Sequence, residues 1–291
     1  MSVFAAQLIN GIAIGAIYAL FVLGVNLLVV VRGIVYFCYP HVAMVAMAAA
    51  WLVLTYTGDR LVLAIPMFFV AATVLMIATE PLFRPLVKQG AMLETVVMAT
   101  GIAIILTDVL SQFVNQGSPA AFPEALRGGG LQVNAGAISF SLATVLSVVG
   151  SVIAVSVLFA FLYRTKHGRG IRAMAQDQRV ARILGVPFGR TGVIGFAVAG
   201  LLAGFIALLL AMSLGSTSAE LGDAFAVKVM ILVLFAGMGN LRGGVIGAVA
   251  MGIAETLAVF YLPGRWSQTV FFGVLMLVIL WKPQGVFGSR T

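Results

Sequence analysis

Apolar residues run through this chain in long stretches, with the polar residues collected into short breaks between them. A helix that crosses a bilayer needs about 20 mostly apolar residues. Stretches of that kind lie at roughly 7–31, 41–57, 61–82, 93–115, 136–162, 191–214, 224–240, 243–262 and 267–282. The pattern predicts nine spans, within a range of about eight to ten once a broken or re-entrant segment is allowed for. The break is expected between Gly33 and Met44, where Tyr39-Pro40-His41 interrupts the apolar run. The expected fold class is therefore all-α: a polytopic helical membrane protein with one transmembrane domain over residues 1–291.

Composition agrees. Hydrophobic residues make up 62% of the chain and charged residues 9%, against about a quarter charged in soluble domains. The first apolar run, Leu8 to Val31, is too long for a signal-peptide core and has no basic region before it, so it is expected to be kept as a span. The single cysteine, Cys38, excludes an internal disulfide framework.

The net charge of +8 raises the question of nucleic acid, and its placement answers no. Let residues 163–190 face the cytoplasm and the chain alternate from there. The inside then holds Arg32, Arg84, Lys88, Arg164, Lys166, Arg169, Arg172, Arg179, Arg182, Arg190, Arg242, Lys282 and Arg290, most of the 17 basic residues. Arg60, Arg127 and Arg265 fall outside, and Lys228 lies near a span. This is the positive-inside bias, which orients the chain with its N-terminus outward and its C-terminus in the cytoplasm.

The basic loop has its own pattern. At 100° per residue, Arg169, Arg172, Arg179 and Arg182 share one arc of a helix. Ile171, Met174, Ala181 and Leu184 lie roughly opposite, with Ala175, Val180 and Ile183 at the borders. Gly168-Arg169-Gly170 bounds the start, and Gly185 followed by Pro187 supplies a stop. Such a helix can lie on anionic lipid, serve only as a topological anchor, or dock into a soluble partner.

The chemistry of catalysis is not evident. No G-x-x-x-x-G-K-[ST] cradle occurs, so the chain does not bind ATP in that manner. His41, His167 and Cys38 lie on different segments, so no metal site is expected. No serine, histidine and acid set stands in a hydrolase context, and no cofactor is expected. Transport, not enzymatic turnover, is the expected role.

Several segments together resemble the permease subunits of ABC importers for branched-chain amino acids. Arg172-Ala173-Met174-Ala175, Ala181 and Gly185-Val186 match the family's cytoplasmic loop. "FRPLVKQ" (Phe83 to Gln89), "GMGNLRGGVIG" (Gly237 to Gly247), "GIAE" ending at Glu255 and "WKPQGVFG" (Trp281 to Gly288) follow in the family's order. The resemblance implies a permease domain whose loop 163–190 is a coupling helix received by a cytoplasmic ATP-binding subunit. Arg169, Arg172, Ala173, Ala175, Arg179, Ala181, Arg182 and Gly185 would carry that contact. It further implies a second permease subunit, an extracytoplasmic substrate-binding protein, a small-molecule solute as cargo, and a place in the lipid of a bacterial cytoplasmic (inner) membrane. One segment departs from the family pattern. Tyr36 replaces an asparagine, Tyr39-Pro40 replaces a histidine-glycine pair, and His41 comes one place late.

Charge at bilayer depth costs about 2.5–3.5 kcal/mol at a helix centre, so each such residue calls for a role. Glu255 follows Gly244, Gly247 and Gly252, which permit close helix approach. It reads either as an interhelical anchor or as part of the substrate path, and Asp108 reads likewise, with Asn115 and Gln116 nearer the outer face. Tyr36, Tyr39 and His41 on the break are the leading path candidates. Glu80 and Glu94 are expected to pair locally around Arg84 and Lys88, and Lys228 to reach outward near Asp223 and Glu220. Gly237, Gly239, Asn240, Arg242 and Gly243 form a tight inner turn, with Asn240 and Arg242 able to join an inner gate or touch the ATPase. The polar stretch from Gln112 to Gly136 is either a plain surface loop or the landing place of a binding protein. An ion-coupled secondary transporter using Asp108 or Glu255, and a passive channel, are the competing functions.

Overall fold

The computed structural model describes residues 2–114, 119–126, 132–135, 138–176 and 178–261, together with Gly273, Met276, Lys282 and Gly285. Its long helices are α1 (Ser2–Arg32), α2 (Tyr39–Thr57), α3 (Leu61–Gln89), α4 (Met92–Phe113), α5 (Leu142–Arg164), α8 (Phe188–Leu214), α9 (Leu221–Ala236) and α10 (Leu241–Tyr261). Two short helices, α6 (Lys166–Gln176) and α7 (Gln178–Ile183), occupy the basic loop. Helices are the natural outcome, because a helix satisfies its own backbone where no water is available.

Among the described residues, seven helices are long and apolar enough to cross a membrane. The eighth, α9, has 16 residues. Most of the expected span at 267–282 and nearly all of the Trp281–Gly288 segment lie outside the described residues, as do Asn115 and Gln116. Strands are few: β1 (Ala120–Ala121) pairs antiparallel with β4 (Ser216–Thr217), and β2 (Gln132–Ala135) with β3 (Ile138–Ser141). The first ribbon ties the polar 112–136 stretch to the α8–α9 junction, and Phe122 seals it by burying its ring beside Phe68. Two boundaries differ from the sequence reading. The fifth span starts at Leu142 after a hairpin, with Ser141 capping it through Ala143 N–H. The Phe83–Gln89 motif is helix rather than loop, because α3 absorbs Pro81 and Pro85 and stops only at Gly90, whose φ is 69°.

Small residues set the packing. On α1 and α10, Gly11 faces Ile253, Gly15 faces Val249 and Gly252, and Gly244 faces Val22 and Asn26. The pairings run in opposite senses, so the helices are antiparallel, and a Cβ on Gly252 would overlap the Gly15 backbone. Gly200 and Gly204 bring α8 against Thr73 and Phe68 of α3 in the same way. Between apolar helices in lipid, such backbone approach supplies the dispersion contact that hydrophobicity does not. The resulting core puts α1 at the centre, with Leu20, Phe21, Leu23, Leu27 and Leu28 fully buried.

Candidate functional site

The expected break is present and shorter than the sequence suggested. α1 ends at Arg32, Gly33 turns the chain with φ 70°, and α2 starts at Tyr39 with Pro40 in its first turn. Non-helical backbone at this depth is tolerated only when it is buried in protein, and Ile34, Val35, Tyr36 and Cys38 are all buried. Tyr36 Oη lies 2.6 Å from Thr79 Oγ1, and its ring packs against Phe83 and Phe196. Tyr39 Oη donates to the Ala199 carbonyl at 2.9 Å and sits over Gly24. His41 is buried with Nε2 3.0 Å from Asp223 Oδ1, while Gly222 packs flat on the ring. The three side chains thus fasten the break to α3, α8 and α9 in turn.

Two ion-pair groups flank it. Arg32 and Glu80, both buried, form a close pair; Arg84 adds a second partner for Glu80 at 2.7 Å. The local Glu80–Arg84 pairing was legible from spacing. Arg32 was not, since it read only as inside charge. Its guanidinium also lies 4.3 Å from the centre of the Phe188 ring, at the first residue of α8. The second group corrects an expectation. Lys228 does not reach Asp223 or Glu220; its Nζ lies 2.6 Å from Glu255 Oε1, and Tyr18 Oη donates to Glu255 Oε2 at 2.7 Å. Asp223 is instead the partner of His41. Asp108 lies apart from both groups, exposed on α4 and accepting from Gln112 Nε2 at 3.0 Å.

The basic loop forms two helices where one was expected. Thr165 Oγ1 accepts from Gly168 N–H at 3.0 Å and so caps α6, which places Gly168 and Gly170 inside the helix and not before it. Gly168 is there for closeness, because a Cβ would strike the backbone of Phe161 and Leu162. Gly185, with φ 83°, stops α7 as expected. Ile171 and Met174 are buried where α6 packs on the bundle, and Ala181 is buried where α7 packs on α6. Leu184 does not follow them: it is 75% exposed, beside Ile183 at 85% and the half-exposed Val180. Arg169, Ala175 and Gly185 are exposed and Ala173 is half-buried. The side chains of Arg179 and Arg182 lie outside the described residues.

The turn at Gly237–Arg242 meets this loop. Asn26, buried on α1 and overlooked in the sequence, accepts from Gly239 N–H at 2.9 Å. Asn240 Oδ1 accepts from Gly243 N–H at 2.9 Å and starts α10. Arg172 from α6 and Arg242 from the turn both stack on Tyr163, at 4.6 and 5.6 Å from its ring centre. A cavity of about 890 Å³ lies between them, lined by Arg172, Ala175, Gly239, Asn240 and Arg242. Among the described residues no group of histidine, cysteine and carboxylate side chains could hold a metal ion.

Comparison with known proteins decides the class. The profile of the family described as branched-chain amino acid transport system / permease component matches residues 7–280. The chain belongs to this family. Among its permease relatives is the high-affinity branched-chain amino acid transport system permease protein BraD of Pseudomonas aeruginosa, 26% identical over 97% of this chain and 95% of the relative. LivH of Escherichia coli, described in the same words, is 28% identical over 98% and 96%. A probable branched-chain amino acid transport permease protein LivH of Methanocaldococcus jannaschii is 24% identical over 92% and 88%. No solved structure matches the chain. The permease family therefore extends across the break, the ion pairs and the basic loop alike, and the chain is a multi-pass protein of the cytoplasmic membrane.

Proposed function

We propose that this chain is the membrane subunit of an ABC importer that moves branched-chain amino acids or a closely related amino acid or amide, with a separate subunit hydrolysing ATP. One observation carries the coupling part of this reading. α6 packs on α1, α5 and α8 with Ile171 and Met174 buried, and α7 packs on α6 with Ala181 buried, while Val180, Ile183 and Leu184 are presented to solvent. Exposed apolar side chains at the tip of a basic loop suit a protein cleft better than water. Arg169, Arg172, Ala173, Ala175, Arg179, Arg182 and Gly185 then form the ATPase contact, with the buried Ala181 supporting it from behind, within a coupling segment at 163–190. Arg172 links that contact to the turn Gly237–Gly243 across Tyr163, so a push on α6 reaches Asn240 and Arg242 at the inner mouth.

In this scheme Tyr36, Tyr39 and His41 form the occluded middle of the substrate path, with Glu255 and Asp108 toward its outer end. A second permease subunit completes the pore, and a binding protein delivers cargo near the β1–β4 ribbon. The cargo class rests on what the relatives are named for. An ion-coupled transporter needs a carboxylate free to take up a cation, and Glu255 is already matched by Lys228.

The test is uptake by the complex reconstituted with its companions. Arg172, Arg179 and Arg182 replaced together by glutamate should abolish uptake and ATPase co-purification with membrane insertion intact. Full uptake by that variant, or by wild type in vesicles free of any ATPase, overturns the proposal.

A further inference from the structure

The pair Lys228–Glu255 borders a cavity of about 490 Å³ between α1, α8, α9 and α10. Its remaining wall is mostly apolar, with Ile17 and Leu210 buried and Phe225 packed beside Tyr18, and with Gln7, Ser213 and Thr256 as its polar members. Its open side is edged by Val259, 54% exposed. A bare interhelical anchor has no need of a chamber beside it, and a lipid-facing hollow has no need of two opposite charges at its back.

We infer that this cavity is a transit site for a zwitterionic amino acid with an apolar side chain, whose ammonium group is taken by Glu255 and whose carboxylate is taken by Lys228. The inference rests on the importer reading and names the solute chemistry of its outer path. Tyr18 Oη already donates to one Glu255 oxygen, leaving Oε1, now held by Lys228 at 2.6 Å, as the atom to be exchanged. The exchange is charge-neutral. A zwitterion inserted between the partners pairs both of its own charges and both of the protein's, so no stage leaves a lone charge in a low-dielectric wall. A solute of single charge matches only one member of the pair, and the site disfavours it by that difference. The apolar side chain then lies against Leu210 and Phe225, which fixes the direction in which the two ends point.

The experiment uses the whole complex, this chain with its partner permease, ATPase and binding protein, in proteoliposomes with labelled leucine. The binding protein captures leucine and sets KM, so a transit site appears in kcat. Val259→Trp narrows the open side and leaves both charges in place, and is expected to lower kcat by about tenfold or more at unchanged KM. The exchange of Lys228→Glu with Glu255→Lys restores an interhelical ion pair but reverses the site. It is expected to stay about tenfold or more below wild type, because the reversed solute carries its side chain away from Leu210. Wild-type kcat in either variant, in a complex that retains its ATPase, overturns the transit site; if the exchange fails to assemble, Val259→Trp alone decides. A wild-type complex that transports without an ATPase overturns the importer reading instead, so the two failures are distinct.

Discussion

Arg32 shows how much one residue can be asked to hold. It closes α1, pairs with Glu80 inside the bundle and stacks on Phe188 where the basic loop re-enters it. Removing Glu80 takes a buried carboxylate away from both Arg32 and Arg84. Glu80→Ala is expected to cost about 3–5 kcal/mol, read as a large drop in Tm in detergent. Arg32→Met together with Glu80→Met should recover much of that loss, since both charges then leave the interior. A Tm for Glu80→Ala equal to wild type would mean the pair does not bear on stability. The reach of Arg32 was not visible in the sequence, because its partner lies 48 positions away. Glu80 with Arg84 was expected from nearness in the chain alone, and the structure makes it an i,i+4 pair on α3.

Among the elements, legibility followed period and length. Long apolar runs announced the spans, and glycine with proline announced the break and the end of α7. The limits of α3 and α5 were harder: the apolar runs suggested an end near residue 82 and a start near residue 136, whereas α3 continues through Pro81 and Pro85 to Gln89 and α5 starts at Leu142. The basic stretch was read as one helix with Leu184 among the inward residues. Helical arc alone cannot say which apolar residues a neighbour covers, and here Ile171 and Met174 are covered whereas Ile183 and Leu184 are not. The α1–α10 pairing gives the sharpest test at this scale. Gly252→Leu should force the helices apart at Gly15, with loss of monodisperse protein on size exclusion; Gly101→Leu, on the open face of α4, should be tolerated. Equal behaviour of the two would refute the close approach.

For the molecule as a whole, the sequence pointed to an all-helical permease and to its candidate path residues, and the structure shows how they are linked. Tyr36, Tyr39 and His41 proved to be three separate fastenings to three different helices. Lys228 and Glu255, 27 positions apart, proved to be one unit. Side-chain partners between distant segments depend on which helices adjoin, and composition carries no record of that. The bend between α1 and α2 has a practical consequence as well. It encloses the chain's lone thiol, Cys38, beside Tyr36, Tyr39 and His41, the residues proposed for the path. Within this sequence Cys38 is therefore a single-label probe of the chain's own motion, read on this subunit's own band. A small maleimide should react slowly in the resting complex and markedly faster during turnover. A rate that turnover leaves unaltered would show that the bend stays shut while cargo passes.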